Sequence, residues 1–119
     1  MKILTYIIFI LFISCNSDDK CGNITEREVC VTIFNKSGQR IRHLTLTNEK
    51  GFNDVGVLEN NSQTSIKYAS GGEDSYTIIA VLDNGDTLKS NGTYTEGGWK
   101  MNEIVTKDSI KTKYKDSWF

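Results

Sequence analysis

An all-β fold, a small antiparallel sandwich of about seven or eight strands, is predicted by three observations. From Glu28 onward the chain alternates apolar and polar residues over short runs, the period of strands that bury one face each. Gly or Asn pairs separate these runs, and no long stretch keeps a helical period of 3.6 residues. Short strands at this spacing, with room for a single core, suit a β-sandwich of immunoglobulin-like layout; a small closed barrel is the alternative.

In chain order, the first run, residues 29–34, puts Val29, Val31 and Ile33 on one face and ends in the turn sequence Asn35-Lys36-Ser37-Gly38. The second, residues 39–47, aligns Leu44 with Leu46 but Arg40 with Arg42, so its inner face is expected to begin only after His43. These two runs are expected to pair. Residues 55–58 form a short run, and Thr64, Ile66 and Tyr68 align in the next, which Gly71-Gly72 ends. Residues 76–82 are apolar on both faces, as in a central strand covered on two sides. Asn84-Gly85 then signals a hairpin with a type I′ turn, leading into Thr87-Leu88-Lys89. Asn91-Gly92 and Gly97-Gly98 bracket Thr93-Tyr94-Thr95, and the following run contributes Met101, Ile104 and Val105. In the last run Ile110, Thr112 and Tyr114 lie on one side, and Lys111, Lys113 and Lys115 form a water-facing row that discourages edge-to-edge pairing. The ending Ser117-Trp118-Phe119 has the aromatic character of an outer-membrane barrel terminus, but eight tilted spans do not fit this length.

The amino terminus is of another kind. Lys2 precedes an apolar run, residues 3–13, which is shorter than the roughly 20 residues a membrane-spanning helix needs and suits the core of a secretory signal. It ends in Phe12-Ile13-Ser14-Cys15, followed by polar Asn16-Ser17-Asp18-Asp19-Lys20. This arrangement resembles the lipobox of bacterial lipoproteins, although Phe12 stands where that family usually has Leu, and Ile13 where Ala, Ser or Thr is commoner. The resemblance implies that residues 1–14 are a removed signal peptide and that Cys15 carries a diacylglyceryl group as the first residue of the mature protein. Ser17-Asp18-Asp19 looks like the acidic export signal of Bacteroidota surface lipoproteins, which implies an outer-membrane anchor facing the periplasm or the cell surface. A multi-chain lipid group holds a domain on a membrane without any apolar helix. Residues 15–27 then read as an acylated flexible tether, and 28–119 as the single β-domain.

With Cys15 committed to lipid, Cys21 and Cys30 remain as an even pair in an oxidising compartment, and they are expected to form a disulfide pinning the tether to the first strand. Zinc is disfavoured because no C-x-x-C spacing exists and the only histidine, His43, is distant. With 14 Lys plus Arg against 15 Asp plus Glu there is no global basic field, which disfavours nucleic acid.

The search for chemistry finds little. His43 has no neighbours suggestive of a catalytic base, and Asp83-Asn84-Gly85-Asp86 lacks the spacing of an EF-hand loop. Gly71-Gly72-Glu73 lacks the P-loop residues, and Glu73, Asp74, Asp83 and Asp86 lie in turn sequences. No catalytic residue, metal or cofactor is expected. Tyr94 and Trp99, beside Gly97-Gly98, are the candidate partner surface. Beyond its leader, the chain is similar to small bacterial lipoproteins of unknown role, including some periplasmic immunity factors. The resulting expectation is a membrane-anchored, non-catalytic binding module for a protein partner in the envelope. A carbohydrate-binding accessory protein using Tyr94 and Trp99 is the alternative, followed by a hydrolase built on Glu73, Asp74 or Glu96.

Overall fold

The computed structural model describes residues 21–70 and 72–114. Cys15 and the rest of the leader, Gly71, Lys115 and the aromatic ending lie outside the described residues. Among the described residues there are nine strands: β1 (Glu28–Asn35), β2 (Ile41–Asn48), β3 (Gly51–Leu58), β4 (Gln63–Ala69), β5 (Glu73–Leu82), β6 (Thr87–Lys89), β7 (Thr93–Glu96), β8 (Lys100–Val105) and β9 (Ile110–Tyr114). They form two sheets, β4-β1-β8-β9 and β3-β2-β5-β6, with β7 also paired to β5. This is the small immunoglobulin-like β-sandwich that the alternation predicts.

The inner faces meet in one core. Val29, Val31, Ile33, Met101 and Val105 come from one sheet, and Ile41, Leu44, Leu46, Tyr76, Ile78, Ala80 and Leu82 from the other. Burying a large aliphatic or aromatic side chain contributes about 1.5–3 kcal/mol, so this cluster supplies the main drive to fold.

Several details depart from the expectation, each for a geometric reason. β1 and β2 do not pair but lie in opposite sheets, because their apolar rows must face each other across the core. The corner between them is held by buried Asn35, whose amide donates to the carbonyls of Gln39 (2.9 Å) and Leu58 (3.0 Å) and whose oxygen accepts from the Ser37 hydroxyl (2.6 Å). The inner face of β2 begins at Ile41, not after His43: register shifts between Ile41 and Leu44 restore the inward direction despite the odd spacing. β1 and β8 pair in parallel, in a sandwich expected to be antiparallel throughout; strands so far apart in sequence are free of the hairpin constraint.

β5 is central but covered on one side only, with Ile78, Ala80 and Leu82 buried while Ile79 and Val81 on the outer face are half-exposed. The turn after it is not type I′. Asn84 keeps a negative φ, Gly85 alone is left-handed (φ 95°), and the Gly85 amide donates to the Leu82 carbonyl (2.9 Å), the pattern of a three-residue hairpin loop. β6 and β7 are two halves of one edge strand, both paired to β5 with a one-residue change of register between them. Ser90 stitches the gap: its hydroxyl accepts from the Ile78 amide (2.8 Å) and its amide donates to the Ile78 carbonyl (2.9 Å). Nine strands thus make eight passages of the chain.

Residues 21–27, polar enough to read as tether, lie against the domain. Cys21 is buried and disulfide-bonded to Cys30, with Cα atoms 5.7 Å apart. The Arg27 carbonyl accepts from the Ser70 amide (2.8 Å), and the Glu28 carbonyl accepts from Gly98 (2.7 Å). This segment crosses the β7–β8 turn at Gly97, where a Cβ would overlap the Glu26 carbonyl oxygen.

Gly97→Ala should therefore cost about 2–3 kcal/mol in urea unfolding, whereas Gly51→Ala, which meets nothing, should stay within about 0.5 kcal/mol. Reducing the Cys21–Cys30 bond should lower stability by about 2.5 kcal/mol on the loop-entropy account, read as a shift of the same urea midpoint.

Candidate binding surface

Tyr94 and Trp99 come together as the sequence suggests. Their ring centroids are 5.7 Å apart with planes at 80°, an edge-to-face contact. β7 presents Tyr94 on the outer face because Thr93 and Thr95, on either side of it, point inward. The turn at Gly97-Gly98 then carries the chain to the other sheet and swings Trp99 back over the edge, partly packed on the core. A third ring, Tyr114 at the end of β9, meets Trp99 at 5.7 Å and 81°. Tyr94 is 44% exposed and Tyr114 64%, so the cluster offers aromatic surface to solvent where the edges of the two sheets approach.

Carboxylates flank one side of this cluster. Glu73 and Glu96 are direct cross-strand partners on the outer face of β5 and β7, and desolvation, then the charge of these two carboxylates, pushes the pKa of the Tyr94 hydroxyl up. Two like charges opposite each other are unfavourable within a fold. Asp74, the third acid suggested by the sequence, points to the other face, where its carboxylate accepts from the Ser75 amide (2.7 Å). The three acids do not converge. His43 lies on the surface, with Nε2 3.2 Å from Asp54 Oδ1, and Asp83 is held by Arg40 (3.1 Å).

Beneath the aromatic cluster is a polar network that the sequence reading missed. Glu103 is fully buried between the sheets, accepting from the Tyr76 hydroxyl at Oε2 (2.6 Å) and from the Thr112 hydroxyl at Oε1 (2.9 Å). Thr112 Oγ1 also lies 3.3 Å from Thr93 Oγ1, and Tyr68 reaches Thr95 across the sheets at 3.3 Å. Burial pushes the Glu103 carboxyl above its usual range, its two hydrogen bonds opposing the shift in part. Burial likewise raises the Tyr76 hydroxyl and lifts Tyr68 to about 12. A strict two-residue period through Met101 and Val105 places Glu103 inward, so the signal was present. Its charge argued against reading it that way.

No family model and no curated protein matches this chain. Among solved structures it is similar to a protein from Eubacterium rectale studied by NMR, at 11% identity over 78% of this chain and 93% of that one, with a TM-score of 0.56. A candidate cell adhesion protein from Bacteroides ovatus matches at 11% identity over 78% of this chain and 45% of that one, with a TM-score of 0.42. At these identities the first likeness is one of fold alone.

Because the folded pKa of Glu103 lies above the unfolded one, the folded state keeps this proton longer. The stability tied to it is full at low pH and falls as pH rises through the folded pKa. Glu103→Gln removes the titration, so the difference in urea midpoint, variant minus wild type, should grow in the variant's favour as pH rises from about 4 to about 8. A pH-independent difference would contradict the raised pKa.

Proposed function

We propose that this protein is a membrane-anchored lipoprotein of the bacterial envelope, held by an acylated Cys15 and acting as a non-catalytic binding module for a protein partner, of the immunity or inhibitor type. The observation that carries the reading is the cluster of Tyr94, Trp99 and Tyr114, which joins three chain segments into one exposed aromatic surface. Partly buried aromatics of this kind anchor protein interfaces. Glu73 and Glu96 beside Tyr94 suit a partner presenting an apolar side chain flanked by Lys or Arg, because such a partner relieves their mutual repulsion. The Cys21–Cys30 disulfide agrees with an oxidising compartment.

The carbohydrate alternative fits less well. A sugar ring stacks on an open aromatic face, and here neighbouring rings stand at 80° and 81°, so each contact covers part of a face. The hydrolase alternative has less support, since Asp74 points away from Glu73 and Glu96 and only those two acids share a face.

Affinity capture from detergent-solubilised envelopes tests the surface. Tyr94→Ala and Tyr114→Ala should each reduce capture of the partner about tenfold while the fold is kept, and Glu96→Lys should reduce it through charge. Undiminished capture by the double tyrosine variant would refute this surface, and release by simple sugars would favour the carbohydrate alternative. Mass spectrometry of the native product should find a lipid-modified Cys15 at the mature terminus; an unmodified thiol or a retained leader would remove the anchor.

A further inference from the structure

Although the chain as a whole is nearly neutral, its cations are not spread evenly over the two outer faces. On the sheet β4-β1-β8-β9 the register aligns Cys30 with Lys67 on one side and Lys100 on the other, Asn102 with Lys113, and Ile104 with Lys111. Since Val29, Val31, Ile33, Met101, Glu103 and Val105 point inward, these four lysines share the outward face. Lys67, Lys111 and Lys113 are exposed and Lys100 is half-exposed. Across four adjacent strands and four residues along them they lie within roughly 20 Å. The one acid on the strands of this face is Glu28, at its margin beside Lys67 and already accepting from the Thr25 amide (3.0 Å). The opposite sheet instead shows Glu73, Glu96 and Asp54 outward, with Lys89 on β6 and Arg42 at the β2 bulge as cations among its described strands.

We propose that the lysine face docks on the anionic phosphate headgroups of the bilayer that holds the lipid anchor. The inference rests on the reading of Cys15 as the lipid carrier. The chain reaches the lysine face at Cys21, which is bonded to Cys30 within that face and has its Sγ 3.3 Å from the outward Thr32 hydroxyl. Five residues, 16–20, separate Cys21 from Cys15. Six Cα steps span at most about 20 Å, so an anchor at Cys15 keeps this face within about that distance of the headgroups. Within a Debye length of an anionic leaflet each lysine strengthens attachment about fivefold. A lysine row that merely deters edge pairing would need only β9; Lys67 and Lys100 extend it over the sheet. Docked this way, the protein keeps Tyr94, Glu73 and Glu96 on the far sheet free for a partner.

The test uses the full processed protein in two kinds of vesicle, phosphatidylethanolamine with phosphatidylglycerol and phosphatidylcholine alone. A membrane-impermeant amine reagent is applied and each lysine is read by mass spectrometry. Lys67, Lys100, Lys111 and Lys113 should react at least fivefold more slowly in the anionic vesicles at low salt, with Lys89 unchanged, and high salt should abolish the protection. In a Lys67→Gln/Lys111→Gln/Lys113→Gln variant, Lys100 should lose its protection. Equal reactivity in both vesicles, with Cys15 lipidated, would overturn the docking and leave the anchor standing. Protection in both vesicles would overturn it too, since a second copy of the chain would then cover the face. A Cys15 without lipid in the same spectra would instead remove the anchor.

Discussion

The segment from Cys21 to Glu28 can lie against the sandwich only because Gly97 has no side chain at the crossing. From that close approach follow the Gly98 to Glu28 hydrogen bond and, one residue on, the bond from the Cys30 amide to the Trp99 carbonyl (3.1 Å), which leads into the parallel ladder of β1 and β8. The disulfide fixes the same segment to the outer face of β1 from the other side. The exit of the chain toward its amino terminus, the path of the β7–β8 turn and the placement of Trp99 are therefore one constraint. A shift of any of the three would move the others.

The core itself is held by apolar burial, but its uniqueness rests on polar groups that join the sheets. Asn35 reaches from β1 to the end of β3, Tyr76 from β5 to Glu103 on β8, and Tyr68 from β4 to Thr95 on β7. Apolar contact alone tolerates sliding of one sheet over the other, whereas a buried hydroxyl or carboxyl tolerates little, because an unmade bond there costs about 1–3 kcal/mol. Glu103 is the extreme case: a buried carboxyl kept between sheets by two hydroxyl donors, beneath the aromatic edge.

Separation of charge follows from the alternation of strands. In each strand every second residue faces solvent, so lysines and glutamates at outward positions of different sheets end on opposite sides of the molecule. A near-zero total conceals this, and it gives the two sides different suitable partners: phosphate for the lysine face, and an apolar group with basic neighbours for the aromatic edge beside Glu73 and Glu96.

The chain order of strands, the inward row Val29-Val31-Ile33, the disulfide and the nearness of Tyr94 to Trp99 were all legible in the sequence. Each depends on residues close in the chain, on a period of two, or on a count of cysteines. Which strands pair was not legible: β1 and β2 went to opposite sheets, Asn91-Gly92 became a break within one edge strand, and Ile41 reached the core through a bulge. Those outcomes minimise exposed apolar surface over the whole chain at once, and no local pattern records that sum. The same holds for Tyr114 joining the aromatic cluster and for Glu103 burying its carboxyl, since their partners lie on strands that only the closed sandwich brings within reach.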